Sequence, residues 1–185
     1  MTWRRVLNWG VFAVLVVCAI LVRNHQIDKV ELQEPIDVRG AEGQRLIGRN
    51  IAATLTGITI TDSVIGDYGD DHPEIYAAHK GWVLAIFSID AQSTVSDDKT
   101  NTDLVIAENT YGTRYMGIVP ELQLTPGIPN QGYAGTFEIP ASALQSRASF
   151  RVTGSGNPSR DSRLVFDVTL ANAQRVPALI VKKRI

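Results

Sequence analysis

The sequence predicts an all-β fold, an antiparallel β-sandwich, preceded by one N-terminal transmembrane helix. Three observations support this prediction. An apolar run from Val6 to Val22 stands at the start of the chain, directly after Arg4 and Arg5. Beyond it, short segments rich in β-branched residues alternate between apolar and polar with a period of two. Clusters of Gly, Pro, Asn and Asp separate these segments, as expected for strands joined by turns.

The apolar run is close to the roughly 20 residues that a helix needs to cross a bilayer. Trp3 and Trp9 lie where aromatic rings meet lipid headgroups, and a short basic N-terminus is expected on the cytoplasmic side. The chain should therefore be a single-pass protein of the cell membrane with its C-terminal domain extracytoplasmic. We predict a cytoplasmic stub at 1–5, a transmembrane signal-anchor helix at 6–22, a stalk at 23–47 and the β-sandwich at 48–185.

Other fates of the N-terminal run remain open. Cleavage near Val17-Cys18-Ala19 loosely fits a small-residue site of a signal peptide. Lipidation of Cys18 is disfavoured because Val17, and not a small residue, precedes it. An uncleaved anchor is favoured since apolar residues continue to Val22. A buried helix of a soluble protein would need partner helices, and the pattern downstream predicts none.

Composition excludes several classes of function. The formal net charge is −1, and the mixed charges give no strong field for a nucleic acid. The single cysteine, Cys18, lies in the apolar run, so the domain has neither a disulfide nor a thiolate ligand. Cysteine-based catalysis and Cys-rich zinc sites are thereby excluded from the domain. The basic cluster Lys182–Arg184 is typical of a solvated tail.

Two stretches carry the clearest strand signals. Ile58–Ile65 alternates, but Asp62 breaks the apolar series, which predicts a bulge or a change of strand there. The segment from Trp82 to Asp90 is apolar without interruption, so it should lie in the middle of the sandwich. Its large aromatic residues, Trp82 and Phe87, are the expected core anchors.

The second half of the chain is interpreted in the same way. A hairpin is predicted across residues 104–116, with Gly112 at or near the turn. In the alternating strand before Pro140, one face should hold Tyr133, Gly135, Phe137 and Ile139. Pro140 should start one helical turn at residues 141–144. Further strands are predicted at 150–152, 164–170 and 176–181.

The order of these features resembles a known family. It is similar to the bacterial immunoglobulin-like (telokin-like) extracellular domains of unknown function, found on lipoproteins and single-span proteins of Gram-positive bacteria. The resemblance covers roughly Arg49–Leu170, and the departure from it is that Cys18 is not in a lipobox. It implies an immunoglobulin-like sandwich exposed on the envelope and no shared catalytic site. The segments that carry it are Asn50–Val64, Trp82–Asp90, Tyr111-Gly112-Thr-Arg-Tyr115 and Gly135-Thr-Phe137-Glu138-Ile139-Pro140.

One acidic loop is a candidate metal site. Ca²⁺ takes six to eight oxygen ligands, and a Gly-containing loop with several carboxylates could supply part of such a set. The spacing does not fit an EF-hand, and a solvated polar loop is the alternative interpretation. A zinc site from His72 and His79 with Asp70 or Asp71 is a second alternative. The candidate calcium ligands are Asp67, Asp70, Asp71 and Glu74.

A binding surface could instead be built from tyrosines in or beside the predicted loops, because aromatic residues are enriched at interfaces. Each of them could equally pack against its own hairpin. The chain has no Gly-x-Ser-x-Gly elbow and no Gly-rich phosphate loop before a helix, so we expect neither an enzyme nor a bound cofactor. The candidate surface residues are Tyr68, Tyr76, Tyr111 and Tyr115.

The function predicted from the sequence is a non-catalytic binding or accessory domain of the cell envelope. It is held to the membrane by its N-terminal helix and contacts another envelope protein through residues 66–80 and 119–132. The alternative is a domain that senses calcium or another ligand through loop 67–74, and an envelope hydrolase is a third hypothesis. Thermal melts with Ca²⁺ and with EDTA separate the first two, because a bound ligand raises the melting temperature.

Overall fold

The computed structural model describes residues 12, 14–21, 35–67, 73–96, 98–114, 119, 122–154 and 162–182. The chain divides into two compact units, Met1–Glu34 and Pro35–Ile185. In the first unit, residues 12 and 14–21 are helical and exposed. No helix within the described part of the chain is long and apolar enough to cross a membrane. The predicted span at 6–22 lies partly outside the described residues and stays a prediction.

The described residues of the second unit form three sheets, whose strands we number in chain order. The first sheet has the order β1 (Ile36–Ala41), β12 (Ser162–Thr169), β11 (Arg147–Gly154), β7 (Asp98–Ile106), β8 (Asn109–Gly112), with β9 (Gln123–Leu124) also paired to β7. The second has the order β10 (Asn130–Pro140), β6 (Trp82–Ser93), β3 (Ile51–Thr61), β13 (Gln174–Val176), with β2 (Arg45–Ile47) also paired to β3. The third has the order β14 (Leu179–Lys182), β4 (Ser63–Asp67), β5 (Glu74–Ala77). The predicted β-sandwich is confirmed.

Four phenylalanines form the centre of the main core. Phe150 and Phe166 come from the first sheet, and Phe87 and Phe137 come from the second. The rings of Phe87 and Phe150 stack across the sandwich with centroids 4.3 Å apart, and Phe137 meets Phe87 edge-on at 5.5 Å. All four side chains are fully buried. Because aromatic contacts of this kind add to the burial of area, this cluster joins the two sheets.

The third sheet covers the opposite face of the second sheet. Leu84 and Ile86 of β6 pack there against Val64 of β4 and Val181 of β14. The central strand β6 is therefore buried on both faces, which explains its unbroken apolar sequence and confirms its predicted place in the sandwich. The prediction that Trp82 is a core anchor is wrong, because Trp82 is the first residue of β6 and is 41% exposed.

Two predictions about strand geometry have different outcomes. The break at Asp62 is confirmed as a change of strand, since β3 ends at Thr61 in the second sheet and β4 begins at Ser63 in the third. The prediction that Tyr133 and Phe137 share one face of the strand is wrong. The register of β10 on β6 shifts between Tyr133 and Gly135, so Tyr133 packs in the cluster below the third sheet while Phe137 faces the main core.

The folded unit also begins earlier than the predicted boundary at residue 48. Strands β1 and β2 lie in the predicted stalk, 23–47, and they pair with β12 and β3. Among the strands that the structure describes, three pairings are parallel, those of β1 with β12, β13 with β3 and β14 with β4. The sandwich is therefore rich in antiparallel pairs without being wholly antiparallel. Alternation in a sequence indicates a strand but not the direction of its neighbour.

The connection between β7 and β8 corrects the predicted hairpin turn. The turn residues are Ala107 and Glu108, since Ile106 pairs with Asn109, and Gly112 ends β8. Ala107 has a φ of 53°, in the left-handed region that is strained for a residue with a Cβ. The helical turn expected after Pro140 is confirmed as a 3₁₀ turn at Ala141–Gln145.

We expect Ala107→Gly to stabilise the folded unit by about 1 kcal/mol, because a left-handed conformation costs an L-residue about 1–2 kcal/mol and glycine much less. Denaturant unfolding of the full chain measures this change. Glu108→Gly is the matched control, since Glu108 neighbours Ala107 without a positive φ. That variant should be no more stable than the parent, and an equal gain in both would contradict strain at Ala107.

Candidate functional site

A buried carboxylate lies at the edge of the second sheet. The side chain of Glu138, on β10, is only 5% exposed. Its Oε1 accepts a hydrogen bond from the backbone N–H of His79 at 2.7 Å and lies 2.5 Å from Nδ1 of the same histidine. Its Oε2 accepts from the Tyr76 hydroxyl at 3.2 Å and pairs with the Arg114 guanidinium at 3.1 Å. We call these four residues the Glu138 cluster.

Two separate segments bring the three partners to Glu138 on β10. On β10, Phe137 and Ile139 face the main core, and Glu138 pairs in register with Leu84, whose side chain faces the third sheet. Tyr76 is on β5 of the third sheet, and His79 lies in the turn between β5 and β6. Arg114 follows β8 and reaches β10 because its backbone N–H donates to the carbonyl of Thr136 at 2.9 Å.

The electrostatics of the cluster favour an ionised Glu138. Burial alone raises the pKa of this carboxyl, because it removes water from the charged form. Four interactions together lower the pKa by more than burial raises it. They are the hydrogen bonds from the backbone and the ring of His79, the charge of that ring and the hydrogen bond from the Tyr76 hydroxyl. The net result is a pKa below the ordinary value of 4.5. The site thus holds a carboxylate, not a carboxylic acid.

The cluster fixes exposed groups and does not offer its own carboxylate to a substrate. Both oxygens of Glu138 are occupied, whereas the side chains of His79 and Arg114 are 68% and 52% exposed. Arg114 also donates to the Tyr76 hydroxyl at 2.5 Å. A tyrosine and a histidine from one stretch and an arginine from a distant one are thereby held on one surface. Such a surface can bind an anionic or polar group of a partner.

A small cavity adjoins the cluster. It measures about 200 Å³, and Thr102, Thr113, Thr136 and Arg114 are among the residues that line it. Thr102 and Thr113 are hydrogen-bonded through their hydroxyl oxygens at 2.6 Å. The hydroxyl of Thr136 is buried without a partner. The cavity therefore extends the polar character of this surface toward the seam between β7 and β10.

The structure describes only part of the predicted calcium site. Asp67 ends β4 and Glu74 begins β5, and the pairing of Gly66 with Glu74 places them at one end of the β4–β5 hairpin. Asp70 and Asp71 lie outside the described residues. Among the residues that are described, no group of three or more His, Cys, Asp or Glu could hold a metal ion. The calcium site stays a prediction.

The predicted tyrosine surface is described for two of its four members. Tyr76 belongs to the Glu138 cluster, and Tyr111 packs against the main core from β8. Tyr68 and Tyr115 lie outside the described residues, so whether the four share a surface stays a prediction. For the zinc alternative, the structure places His79 against Glu138, and His72 also lies outside the described residues.

Sequence reasoning did not identify Glu138 and Arg114 as site residues. Glu138 alternates with Phe137 and Ile139, which is typical of a solvated side chain on a half-buried strand. The pattern misleads because the third sheet covers the face that would otherwise meet water. Tyr76 and His79 are three residues apart in the sequence. No local spacing relates them to positions 114 and 138, so only the fold brings the whole cluster together.

No protein family was found to match the sequence, and no curated protein matches it. Among solved structures, the chain is similar to an uncharacterised β-sandwich protein from Clostridium difficile, with a TM-score of 0.50 and 14% identity over 73% of this chain and 96% of that one. This likeness shows the fold alone. A Bacillus subtilis protein described as a candidate lipoprotein has a TM-score of 0.49 and 8% identity, over 72% of this chain and 40% of that one. A conserved hypothetical protein from Bacillus anthracis has a TM-score of 0.46 and 14% identity, over 66% and 93%.

Proposed function

We propose that the chain is a membrane-anchored, extracytoplasmic binding domain of the cell envelope, without catalytic activity, that contacts another envelope protein. The observation that carries the proposal is the Glu138 cluster. One buried carboxylate holds Tyr76 and His79 from one segment and Arg114 from another on a single surface. Tyr76 and His79 also fall in the stretch 66–80 that the sequence favours as a contact region.

Preorganisation is the physical reason that this surface suits binding. An interface that orders free side chains on association loses about 0.5–1.5 kcal/mol for each one. In this chain Tyr76 and Arg114 are already ordered by their bond to each other and to Glu138. Tyrosine and arginine are also the residue types that most often dominate binding energy. The partner should present acidic or polar groups to Arg114 and His79.

The proposed anchor is supported by the apolar character of the first unit. Its described helical residues are almost all apolar and all exposed, among them Phe12, Leu15 and Ile20. A helix that is apolar on every side requires an apolar environment, and a bilayer supplies one. With Arg4 and Arg5 on the cytoplasmic side, the Pro35–Ile185 unit lies outside the cell. The finer fold type in this proposal is the immunoglobulin-like sandwich that the sequence resembles.

Topology is tested by fusing alkaline phosphatase to the C-terminus of the full chain in a bacterial host. This enzyme becomes active only after export, so we expect phosphatase activity in the membrane fraction. Washing the membranes with high salt should not release that activity. A fusion of the same length to a cytoplasmic reporter is the control and should be inactive. An active cytoplasmic reporter would place the domain inside the cell and remove the proposal.

The contact surface is tested with a photo-crosslinking residue at position 79, with the same residue at position 149 as control. Ser149 lies on β11 of the first sheet, where its side chain bonds Asp167 on an exposed face. We expect a discrete adduct from position 79 that is at least fivefold weaker when Arg114 is changed to Ala. Adducts of equal yield from both positions would show that the cluster is not the contact surface.

A further inference from the structure

The guanidinium of Arg114 is held in the Glu138 cluster by a single nitrogen. Its Nη1 donates to the Tyr76 hydroxyl at 2.5 Å and pairs with Oε2 of Glu138 at 3.1 Å. Among the residues that the structure describes, neither Nε nor Nη2 of Arg114 has a hydrogen-bond partner. These two nitrogens form one edge of the planar group. That edge is therefore unused, on a side chain that is 52% exposed.

The unused edge has the geometry of a carboxylate receptor. The N–H groups of Nε and Nη2 are parallel and match the two oxygens of a carboxylate as a bidentate pair. An exposed pair of this kind is normally weakened by the entropy lost in ordering a long side chain. In this chain Nη1 already orders the guanidinium. Glu138 also leaves positive charge in excess when His79 is protonated, because Arg114 and the His79 ring share this one carboxylate.

The cavity beside Arg114 limits the size and the charge of a ligand. Its volume is about 200 Å³, smaller than the ~300–1,000 Å³ typical of pockets for drug-sized ligands. Arg114 is the only charged residue among the described residues that line it. The other lining residues are threonine, asparagine or tyrosine, or have small or apolar side chains. The cavity therefore suits a short chain with one negative charge.

The hydroxyl groups of the wall differ in what they can offer a ligand. Oγ1 of Thr102 donates to a backbone carbonyl of β10, and Oγ1 of Thr113 donates to the carbonyl of Thr102, both at 3.0 Å. A hydroxyl has one proton, so neither keeps one for a ligand. The hydroxyl of Thr136 is buried without a partner among the described residues. Thr136 and Glu138 are two residues apart on β10, so both side chains lie on the face where Arg114 contacts Glu138. An unpaired buried donor requires an acceptor, and a carboxylate is a pure acceptor.

We propose that Arg114 binds a single carboxylate through Nε and Nη2, and that the adjoining cavity receives the short chain that carries it. This inference rests on the proposed function of the Glu138 cluster as a binding surface, and it names the chemistry that the surface recognises. The carboxylate belongs to an acidic side chain of a protein partner or to a small free acid, since both present the same group. A phosphate would bring a second negative charge to a wall whose described residues hold one cation.

The first test titrates propionate into the purified full chain in mild detergent, at an ionic strength held constant with sodium chloride. Arginine side chains carry ¹⁵N, and the Nε–H signal of Arg114 is the one missing from Arg114→Lys. We expect this signal to shift saturably with propionate and not with propionamide, which has a similar shape without the charge. No saturable shift, an equal shift with propionamide, or tighter binding of inorganic phosphate would overturn the proposal.

The second test measures transfer of magnetisation from the protein to the methyl group of propionate. Arg114→Lys keeps the charge but removes the planar fork, so we expect the transfer to fall at least fivefold. Arg39→Lys is the matched control, because Arg39 is 56% exposed and pairs with Asp37 and Asp167 on the first sheet. It should leave the transfer unchanged. An equal loss in both variants would overturn the assignment to Arg114.

A peptide distinguishes the two sources of the carboxylate. Acetyl-Gly-Glu-Gly-amide carries its only carboxylate on a side chain, so binding at least as tight as that of propionate supports an acidic residue of a protein partner. Binding of propionate alone supports a small free acid. A crosslink from position 79 without any carboxylate binding would overturn this inference and leave the proposed protein contact standing. Carboxylate binding without a crosslink would do the reverse.

Discussion

Phe150→Ala is expected to destabilise the folded unit by about 3–5 kcal/mol, the usual range for removing a fully buried aromatic ring. The ring of Phe150 contacts three others, with centroid distances of 4.3 Å to Phe87, 6.0 Å to Phe137 and 6.3 Å to Phe166. The cavity left behind would lie at the centre of the contact between the two large sheets. Since domains are stable by only about 5–15 kcal/mol, this is a large share of the total.

Guanidinium unfolding of the full chain in mild detergent, followed by the far-ultraviolet circular dichroism of the strands, measures this loss. Phe12→Ala is the matched control, because Phe12 is exposed and belongs to the first unit. It should leave the transition of the β-sandwich unchanged. A loss below about 1 kcal/mol for Phe150→Ala would mean that the cluster collapses around the cavity or is not the centre of the core.

Glu138→Ala is expected to destabilise the unit by about 2–4 kcal/mol. Hydrogen bonds to a charged group contribute about 1.5–3 kcal/mol each, and the change also leaves the backbone N–H of His79 without its acceptor. The loss is smaller than the sum of the bonds because Arg114 and the His79 ring are exposed and regain water. Thr136→Ala is the control, since the buried hydroxyl that it removes from the same strand has no partner.

The effect of Glu138 on stability should depend on pH. The folded state lowers the pKa of this carboxyl below 4.5, so its contribution is fully present above that pH and is lost as pH falls through the folded-state pKa. We therefore expect the difference in unfolding free energy between the parent and Glu138→Gln to shrink in the range below about pH 4.5. Denaturant unfolding of both proteins at several pH values measures it. A difference that grows as pH falls would contradict an ionised Glu138.

The local features of this fold are well predicted by the sequence. Asp62 in an apolar series, the unbroken run that contains Phe87, and Pro140 before a helical turn each act through the chemistry of a few neighbouring residues. Those features were confirmed as a change of strand, a central strand and a 3₁₀ turn. Alternation also predicts most strands, because burial of one face imposes it.

The features that the sequence does not predict depend on contacts between distant segments. The third layer arises because β14, at the far end of the chain, pairs with β4, and no local pattern encodes this pairing. Glu138 is buried because the third sheet covers its face of β10, and Trp82 is exposed because it is the first residue of β6. The bulge after Tyr133 shifts the alternation by one residue, which a count along the sequence cannot detect.

The parallel strands at the two ends of the folded unit have a consequence for how the protein is made. β1 closes the first sheet on β12, and β13 and β14 complete the other two sheets, so every sheet contains a strand from the last part of the chain or a pairing that spans most of it. Chains dominated by such long-range pairings fold slowly, in milliseconds to seconds. Each of the three sheets therefore stays incomplete until residues 162–182, which contain β12, β13 and β14, have been synthesised. The earlier strands can pair before then, but their sheets gain the last edge or neighbour only when almost all of the described chain is present.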